Sequence, residues 1–573
     1  MSRLSRALPA TVLAAIALGL ALFAAVPLAV VVGRALGLPG HLAPFRWIGV
    51  LREPDRLRAL ASTLEIALGT TVLAVGIGVP LALALVRLAL PGARAWSGLL
   101  SLPAAVPPYL WGIAWIDLAN PRTGLLNQAA AAIGATRPVL DIYGLGGIVW
   151  VLGLSFYPLV MLPVAAALER MDASLEESAR LAGASPARAM AQITLPLIAP
   201  SIASSAVLVL LLAASAYGVP YLIGTGGTTH VTVLTTAIVN LINVGDPASL
   251  ADAMALALCL LLVSLAAGGI GSLAARGERR RAVVTGKGQR PRPVRLGSLA
   301  RAVVVCAVVV VATVAIVLPA GTLLTVSMIR SWGAGLGPAN WSGINYARVL
   351  MTNHETLPAI ARSAWLGVVA ASLATACGAV LAYARRRRPG VATKLLEWLA
   401  NAPYAVPGTV LAMGLLLAFS REVRLVVLDR LTLVLDLFAG SAALLVAYVV
   451  KYLSFGVRTS ASALAQLDSS LEEAARVSGA GQARAALDVV MPLLAPALGA
   501  TWLLVFLPVL SEITMSVLLV GPGTSVIGTV LFELQSYADP PAAAVLATIL
   551  VAATLVGQAL LHAIRKRGPR LAT

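Results

Sequence analysis

Apolar stretches of about 20 residues follow one another along this chain, separated by short polar connections. A helix needs about 20 such residues to cross the hydrocarbon core of a bilayer. The pattern predicts twelve spans, at 10–33, 62–86, 98–118, 144–168, 198–224, 250–275, 302–328, 363–384, 398–419, 438–461, 494–520 and 541–563. Stretches such as AVVVCAVVVVATVAIVLPAGTLL are apolar throughout, whereas the strands of a membrane barrel alternate over about ten residues. The fold class expected is therefore an all-α polytopic membrane protein. Arg3 and Arg6 precede the first stretch, which is longer than an ordinary signal core and leads into further spans, so it reads as retained.

Composition agrees and then sharpens the picture. The 573 residues are 59% hydrophobic and 12% charged, with a mean hydropathy of +0.91. Soluble domains carry about 25% charged residues, so a water-soluble globule is excluded, and so is disorder. The net charge of +18 would suggest nucleic acid in a soluble protein. In a membrane protein it is sorted by side instead. Placing the N-terminus in the cytoplasm puts most Lys and Arg there, including Arg565, Lys566, Arg567 and Arg570 of the C-terminal tail. No nucleic-acid partner is needed. The densest run, ARGERRRAVVTGKGQRPRPVR, divides the chain into units 1–275 and 301–573, joined at 276–300 by a basic, solvated cytoplasmic linker that fixes topology, with binding of anionic membrane-lipid head groups as the alternative.

The two units repeat one another. SLEESARLAGASPARAMAQITLPLIAPSI at 174–202 matches SLEEAARVSGAGQARAALDVVMPLLAPAL at 470–498. LPAAVPPYLWG (102–112) answers NAPYAVPGTVL (401–411), and TTAIVNLINVGDP (235–247) answers GTVLFELQSYADP (528–540). An even number of spans per unit gives both the same orientation, a parallel repeat about an axis normal to the membrane. The long motif falls in cytoplasmic loops at 172–196 and 468–492. Ser174 with Glu177, and Ser470 with Glu473, have capping-box spacing. Gly183 and Gly479 suit a helix stop at positive φ, and Pro196 and Pro492 are expected to end a second short helix.

Glu177-Ser-Ala, Gly183 and Ile193-Thr-Leu-Pro196 resemble the EAA motif of binding-protein-dependent ABC importer permeases. Glu473-Ala-Ala, Gly479 and Val489-Val-Met-Pro492 repeat it with Val and Met in place of Ile and Leu. The resemblance implies a type I importer permease fold with two six-helix domains fused in one chain of the bacterial inner membrane, both termini cytoplasmic. It implies coupling helices that dock on two copies of a cytoplasmic ABC ATPase through Glu177, Arg180, Gly183, Pro196, Glu473, Arg476, Gly479 and Pro492. It also implies an external, periplasmic or lipid-anchored, substrate-binding protein. Among fused members the chain is most similar to ferric iron permeases; thiamine, polyamine and phosphonate permeases are the alternatives. A twelve-span ion-coupled secondary transporter is the competing class, and the paired loop argues against it.

The chain has no G-x-x-x-x-G-K-[ST] phosphate loop, so ATP is expected to be used by partner subunits and no cofactor to be held here. Cys259, Cys306 and Cys377 lie in spans without ligand spacing, and the four histidines are scattered, which gives no metal motif and no catalytic residue. Ionisable residues within spans are functional candidates. Glu65 and Lys451 are placed near interfaces as snorkelling residues. Ser215, Tyr217, Ser511, Glu512 and Thr514, in span five of each unit, are the candidates for a translocation pathway, since that span borders the path in related permeases.

Overall fold

The computed structural model describes residues 4–38, 45–227, 230–282, 297–420, 423–427, 431–435, 437, 440–468, 470–536 and 539–567. Among the described residues, ten helices are long and apolar enough to cross a membrane: Thr11–Ala35, Pro54–Arg87, Leu145–Arg170, Pro186–Ala214, Pro247–Gly271, Ser298–Ser327, Thr356–Arg387, Ala442–Ala465, Ala486–Leu510 and Pro540–Ile564. Two bent pairs, Ala93–Ala104 with Pro108–Ala119 and Val391–Ala405 with Gly408–Phe419, occupy the places of spans three and nine. A two-stranded antiparallel hairpin, Val423–Val427 with Leu431–Leu435, follows the second pair. The basic linker lies largely outside the described residues: helix runs to Ala282 and resumes at Ser298.

Spans three and nine, read from the sequence as single stretches at 98–118 and 398–419, are bent. Their arms meet at 90° and 111°. At both bends a proline, Pro107 or Pro407, sits with extended backbone (ψ 132° and 138°) and opens the second arm. Proline has no N–H to continue the first arm, and a residue preceding proline is pushed out of the helical region. Val406, at ψ 132°, ends its arm for that reason.

Elsewhere a proline does not stop the helix. Pro196 and Pro492 lie in the first turn of helices that run on to Ala214 and Leu510, so the expected helix ends at these residues are overturned. A π turn precedes each one, Met190–Thr194 and Ala486–Val490. Leu195 N–H reaches back five residues to Met190 O, and Met491 N–H to Ala486 O. The widened turn makes room for the pyrrolidine ring and keeps the helix continuous. The same arrangement recurs in spans one and seven, with π turns Ala21–Ala25 and Thr313–Val317 two residues before Pro27 and Pro319.

Packing follows the repeat. Span two lies on span four, and span eight on span ten, at a small residue. A Cβ on Gly78 would fall 2.7 Å from Tyr157 O, and one on Gly378 would fall 2.3 Å from the carbonyl carbon of Gly456. In lipid, where apolar surface gains little by association, such close backbone approach is a main source of helix affinity. The first span of each unit also crosses to the other: Val26–Ala35 packs on Gly408–Phe419, and Leu318–Ser327 on Pro108–Ala119. Phe23 and Phe419 place their ring centroids 5.6 Å apart at that seam.

Candidate functional site

Two places combine polar chemistry with the repeat: the loops at 172–196 and 468–492, and the middle of spans five and eleven. In the first loop a helix Ala173–Leu181 ends at Ala182–Gly183 and a second helix starts at Pro186. In the second loop the helices are Ser470–Val477 and Gln482–Ala485. Gly183 and Gly479 both have φ of 89°, a conformation that L side chains rarely adopt, and nothing within the chain lies within 4 Å of the place a Cβ would take. Glu177, Arg180, Glu473 and Arg476 are exposed around these turns. Ser185 caps the second helix of the first loop, accepting from Arg188 N–H at 3.3 Å.

The capping box expected at Ser174 and Ser470 is not formed. Asp172 Oδ1 accepts Ser174 N–H at 3.0 Å, and Asp468 Oδ1 accepts Ser470 N–H at 3.0 Å. A carboxylate two residues upstream therefore takes the serine N–H that Glu177 or Glu473 was expected to take, and its charge also suits a helix N-terminus. Glu177 and Glu473 are thereby left free of the cap. The glutamates just before them turn the other way. Glu176 Oε2 lies 2.9 Å from Arg87 Nη2, and Glu472 forms an ion pair with Arg387 while accepting from Tyr383 Oη at 2.6 Å. Neither pair was foreseen, although Glu176 and Glu472, and Arg87 and Arg387, recur between the units.

These ion pairs bear on how the bent pairs are counted. Arg87 ends span two, so it lies on the same face as the chain's first helix end. The loop it grips must share that face, and span four must end there. The bent pair between them therefore carries the chain across once, and the same holds for Arg387 and the second pair. Counting each bent pair as one crossing gives up to twelve among the described residues.

The pathway candidates all sit where helices break. Spans five and eleven were expected to run unbroken over 198–224 and 494–520. The first instead stops at Ala214 and resumes as Gly218–Thr225, and the second stops at Leu510 and resumes as Ser516–Leu519. Ser215 and Tyr217 lie in the first gap and Ser511, Glu512 and Thr514 in the second. Pro220 and Pro508 stand beside the gaps, where a missing N–H weakens the helix.

The two gaps meet. Tyr109 Oη donates to Ser511 O at 3.2 Å across the seam between units. A Cβ on Gly218 would be 2.8 Å from Tyr109 Cβ and 3.6 Å from Ile513 Cγ2. Tyr217 is 2% exposed, and with Tyr221 it packs on Phe532 of the other unit at centroid distances of 5.9 and 4.4 Å. Thr514 flanks Gly408 at the bend of span nine.

Glu512 is buried, and its carboxylate is taken up by the break. Oε1 and Oε2 each accept Met515 N–H at 3.0 Å, and Oε2 also accepts Ser516 N–H at 3.2 Å and Ser516 Oγ at 3.0 Å. It thus caps the helix that follows it. Ser516 Oγ lies 2.8 Å from Tyr448 Oη. Lys451 does not snorkel: its ammonium donates to Val406 O at 2.6 Å, filling a carbonyl that the bend of span nine leaves free. The first unit has Ala216 where the second has Glu512. There Thr235 Oγ1 donates to Ala216 O at 2.7 Å. The counterpart of Thr235 in the repeat is Gly528, and a Cβ there would come within 2.8 Å of Glu512 O. Glu65 lies exposed on a helix that already begins at Pro54.

A bundle of two parallel six-span units, joined at broken central helices and presenting the same hairpin twice on one face, is the permease of a membrane transporter. Residues 74–277 and 374–567 each match the family described as binding-protein-dependent transport system inner membrane component. The chain belongs to that family and carries its domain twice. It is a multi-pass inner-membrane permease subunit of an ABC importer, not itself an enzyme.

Relatives include the Fe(3+)-transport system permease protein FbpB 2 of Haemophilus influenzae, 26% identical over 88% of this chain and 90% of that protein. The probable ABC transporter permease protein y4fN of Sinorhizobium fredii is 28% identical over 91% of this chain and 90% of its own length. The putative 2-aminoethylphosphonate transport system permease protein PhnU of Salmonella typhi is 31% identical over 35% of this chain and 70% of its own. Among solved structures, a bacterial ABC transporter that imports alginate matches 44% of this chain and 87% of its own at 23% identity, with a TM-score of 0.34.

Proposed function

We propose that this chain is the membrane channel of a ferric iron importer, with both permease domains in one polypeptide. Two copies of an ABC ATPase dock from the cytoplasm on loops 172–196 and 468–492, and the termini lie on that side. A periplasmic or lipid-anchored binding protein delivers the cargo to the opposite face. The observation that carries the reading is the paired hairpin, in which Glu177, Arg180 and Gly183, and again Glu473, Arg476 and Gly479, stand exposed around a glycine turn. Pro196 and Pro492 act there as entry points of continuous helices, so displacement of a hairpin moves spans five and eleven directly.

The broken helices supply a closure. Ser215, Tyr217, Ser511, Glu512 and Thr514 lie where the units touch, and separating the units at the Tyr109–Ser511 contact opens the path. ATP is bound by the partner subunits, and no cofactor is resident in this chain. Iron as cargo rests on the relatives that span most of the chain. A phosphonate is the second reading, favoured by the relative of higher identity over 35% of the chain.

The test is reconstitution in vesicles with the ATPase and binding protein encoded alongside. ATP-dependent uptake of ferric iron is expected, and uptake of a phosphonate instead would move the cargo assignment. Uptake by the chain alone, driven by an ion gradient, would refute the importer mechanism.

A further inference from the structure

The loops pair two adjacent glutamates with opposite orientations. Glu177 and Glu473 are exposed. Glu176 and Glu472 face the membrane domain, with side chains 17% and 9% exposed, and engage Arg87 and Arg387, the last residues of spans two and eight. Each glutamate lies in the first turn of its helix and each arginine in the last turn of its own. Both charges therefore complement the helix ends they occupy, as well as each other. The arrangement occurs twice, from residues 300 apart on one side of the pair (87 and 387) and 296 apart on the other (176 and 472).

The second copy is reinforced. Arg387 Nε donates to Tyr383 Oη at 3.3 Å, and the same tyrosine donates to Glu472. Arg386 Nη2 donates to Leu467 O at 2.9 Å, and its Nη1 to Leu464 O, at the end of span ten. Arg385 pairs with Glu397 on the first arm of span nine at 3.3 Å. The end of span eight thus ties together span nine, span ten and the hairpin.

We propose that Arg87–Glu176 and Arg387–Glu472 are the latches that carry movement of each hairpin into spans two and eight. Those spans pack along spans five and eleven, whose breaks form the central contact. A partner pushing on Glu177 or Gly183 thereby moves the transmembrane bundle through a charge pair as well as through the chain. Arg87 and Arg387 are positioning residues for transport and touch neither cargo nor nucleotide. This rests on the importer reading above.

The test uses the full complex of permease, ATPase and binding protein in proteoliposomes, with Arg87→Ala, Arg387→Ala, Arg87→Lys and the exchange of Arg87→Glu with Glu176→Arg. Three quantities are read: ATPase retained on the purified permease, cargo moved per ATP hydrolysed with ferric iron as the probe, and stimulation of ATP hydrolysis by loaded binding protein. With the ATPase retained, the alanine variants are expected to lower cargo per ATP by roughly tenfold, within the range by which residues along a coupling network act. The lysine variant and the charge exchange are expected to restore most of it. An unchanged ratio in both alanine variants overturns the proposal. So does loss of assembly that neither lysine nor the exchange repairs, since the pairs would then hold the fold alone. Stimulation of ATP hydrolysis by loaded binding protein serves as readout whatever the cargo, so a wrong cargo leaves the test intact. A wild-type chain that binds no ATPase would overturn the importer reading itself.

Discussion

The loops at 172–196 and 468–492 are near-copies in sequence and in shape, yet they are anchored differently. The first is held to span two by Arg87, whose Nη2 also reaches Met171 Sδ at 3.8 Å. The second is held by Arg387 with Tyr383, while Arg386 and Arg385 fasten the neighbouring spans to the same helix end. The centre of the molecule shows the same kind of divergence. Both broken helices need a group to secure the break, and the units supply it from opposite places. The first uses Thr235 from the helix Leu234–Val244; the second uses Glu512 within the break, with Gly528 leaving the space. The duplicated scaffold keeps its geometry at the exposed glycine turns, where Gly183 and Gly479 share a φ of 89°. It drifts where only internal satisfaction of polar groups is required.

The sharpest way to break that comparison is at the turns. Gly183→Trp and Gly479→Trp force a bulky side chain into a positive-φ position and into the space beside it. Each is expected to reduce the ATPase co-purifying with the permease by about tenfold or more, a loss of about 1.4 kcal/mol in docking. The amount of permease in the membrane should stay near wild type. Equal losses at both positions would support two equivalent docking sites. A tolerant position in either loop would show that the partner reads only one of them.

The anchors should separate the loops next. Arg87→Ala removes the ion pair of the first loop, whereas Arg387→Ala leaves Arg386 on the end of span ten and Tyr383 on Glu472. The larger loss of cargo per ATP is therefore expected for Arg87→Ala. The reverse order would mean that Arg385 and Arg386 add nothing to the second latch.

The breaks are expected to differ in cost. Glu512→Ala strips acceptors from the buried N–H groups of Met515 and Ser516, at about 1–3 kcal/mol. Thr235→Val removes one hydrogen bond and keeps the volume, at about 0.5–1.5 kcal/mol. Tyr109→Phe, which removes the donor to Ser511 O across the seam, belongs to the same lower range. Denaturation of the purified permease should rank Glu512→Ala as the most destabilising of the three. A neutral Glu512→Ala would remove the capping role and leave its carboxylate for the path.

Hydropathy alone made the membrane elements legible, because lipid demands continuous apolar length. The hairpins were legible because their glycines, glutamates and prolines recur at one spacing. The bends at Pro107 and Pro407 and the gaps at 215–217 and 511–515 were hidden inside stretches apolar enough overall to read as single spans, even with Ser511, Glu512 and Thr514 within one of them. Prolines marked those places, but proline is ambiguous in this chain: at 107 and 407 it opens a bend, while at 196 and 492 a π turn absorbs it. That choice depends on which carbonyl the preceding N–H can reach, which the local sequence does not show. Glu176 and Glu472 were overlooked because the family pattern draws attention to the glutamate beside them, and their arginine partners are more than 80 residues away.

The smallest effect expected is one of pH, at the start of the second hairpin. Ser470 N–H, followed by the Ser470 hydroxyl and the Arg386 charge, holds the Asp468 carboxyl below the usual aspartate range. A carboxylate depressed in the folded state contributes stability at pH values above its unfolded pKa and loses it as pH falls through the folded value. Docking through the second loop should therefore be level across neutral pH and weaken only in acid below the ordinary aspartate range. Asp468→Ala removes the acceptor at every pH, so this variant should show a slightly weaker ATPase association at neutral pH and a smaller additional loss in acid. Asp172→Ala is the matching variant in the first loop, where the same bond to Ser174 N–H exists. If acid weakens association identically in wild type and Asp468→Ala, the acid sensitivity belongs to the ATPase, and the two hairpins are equivalent at their starts.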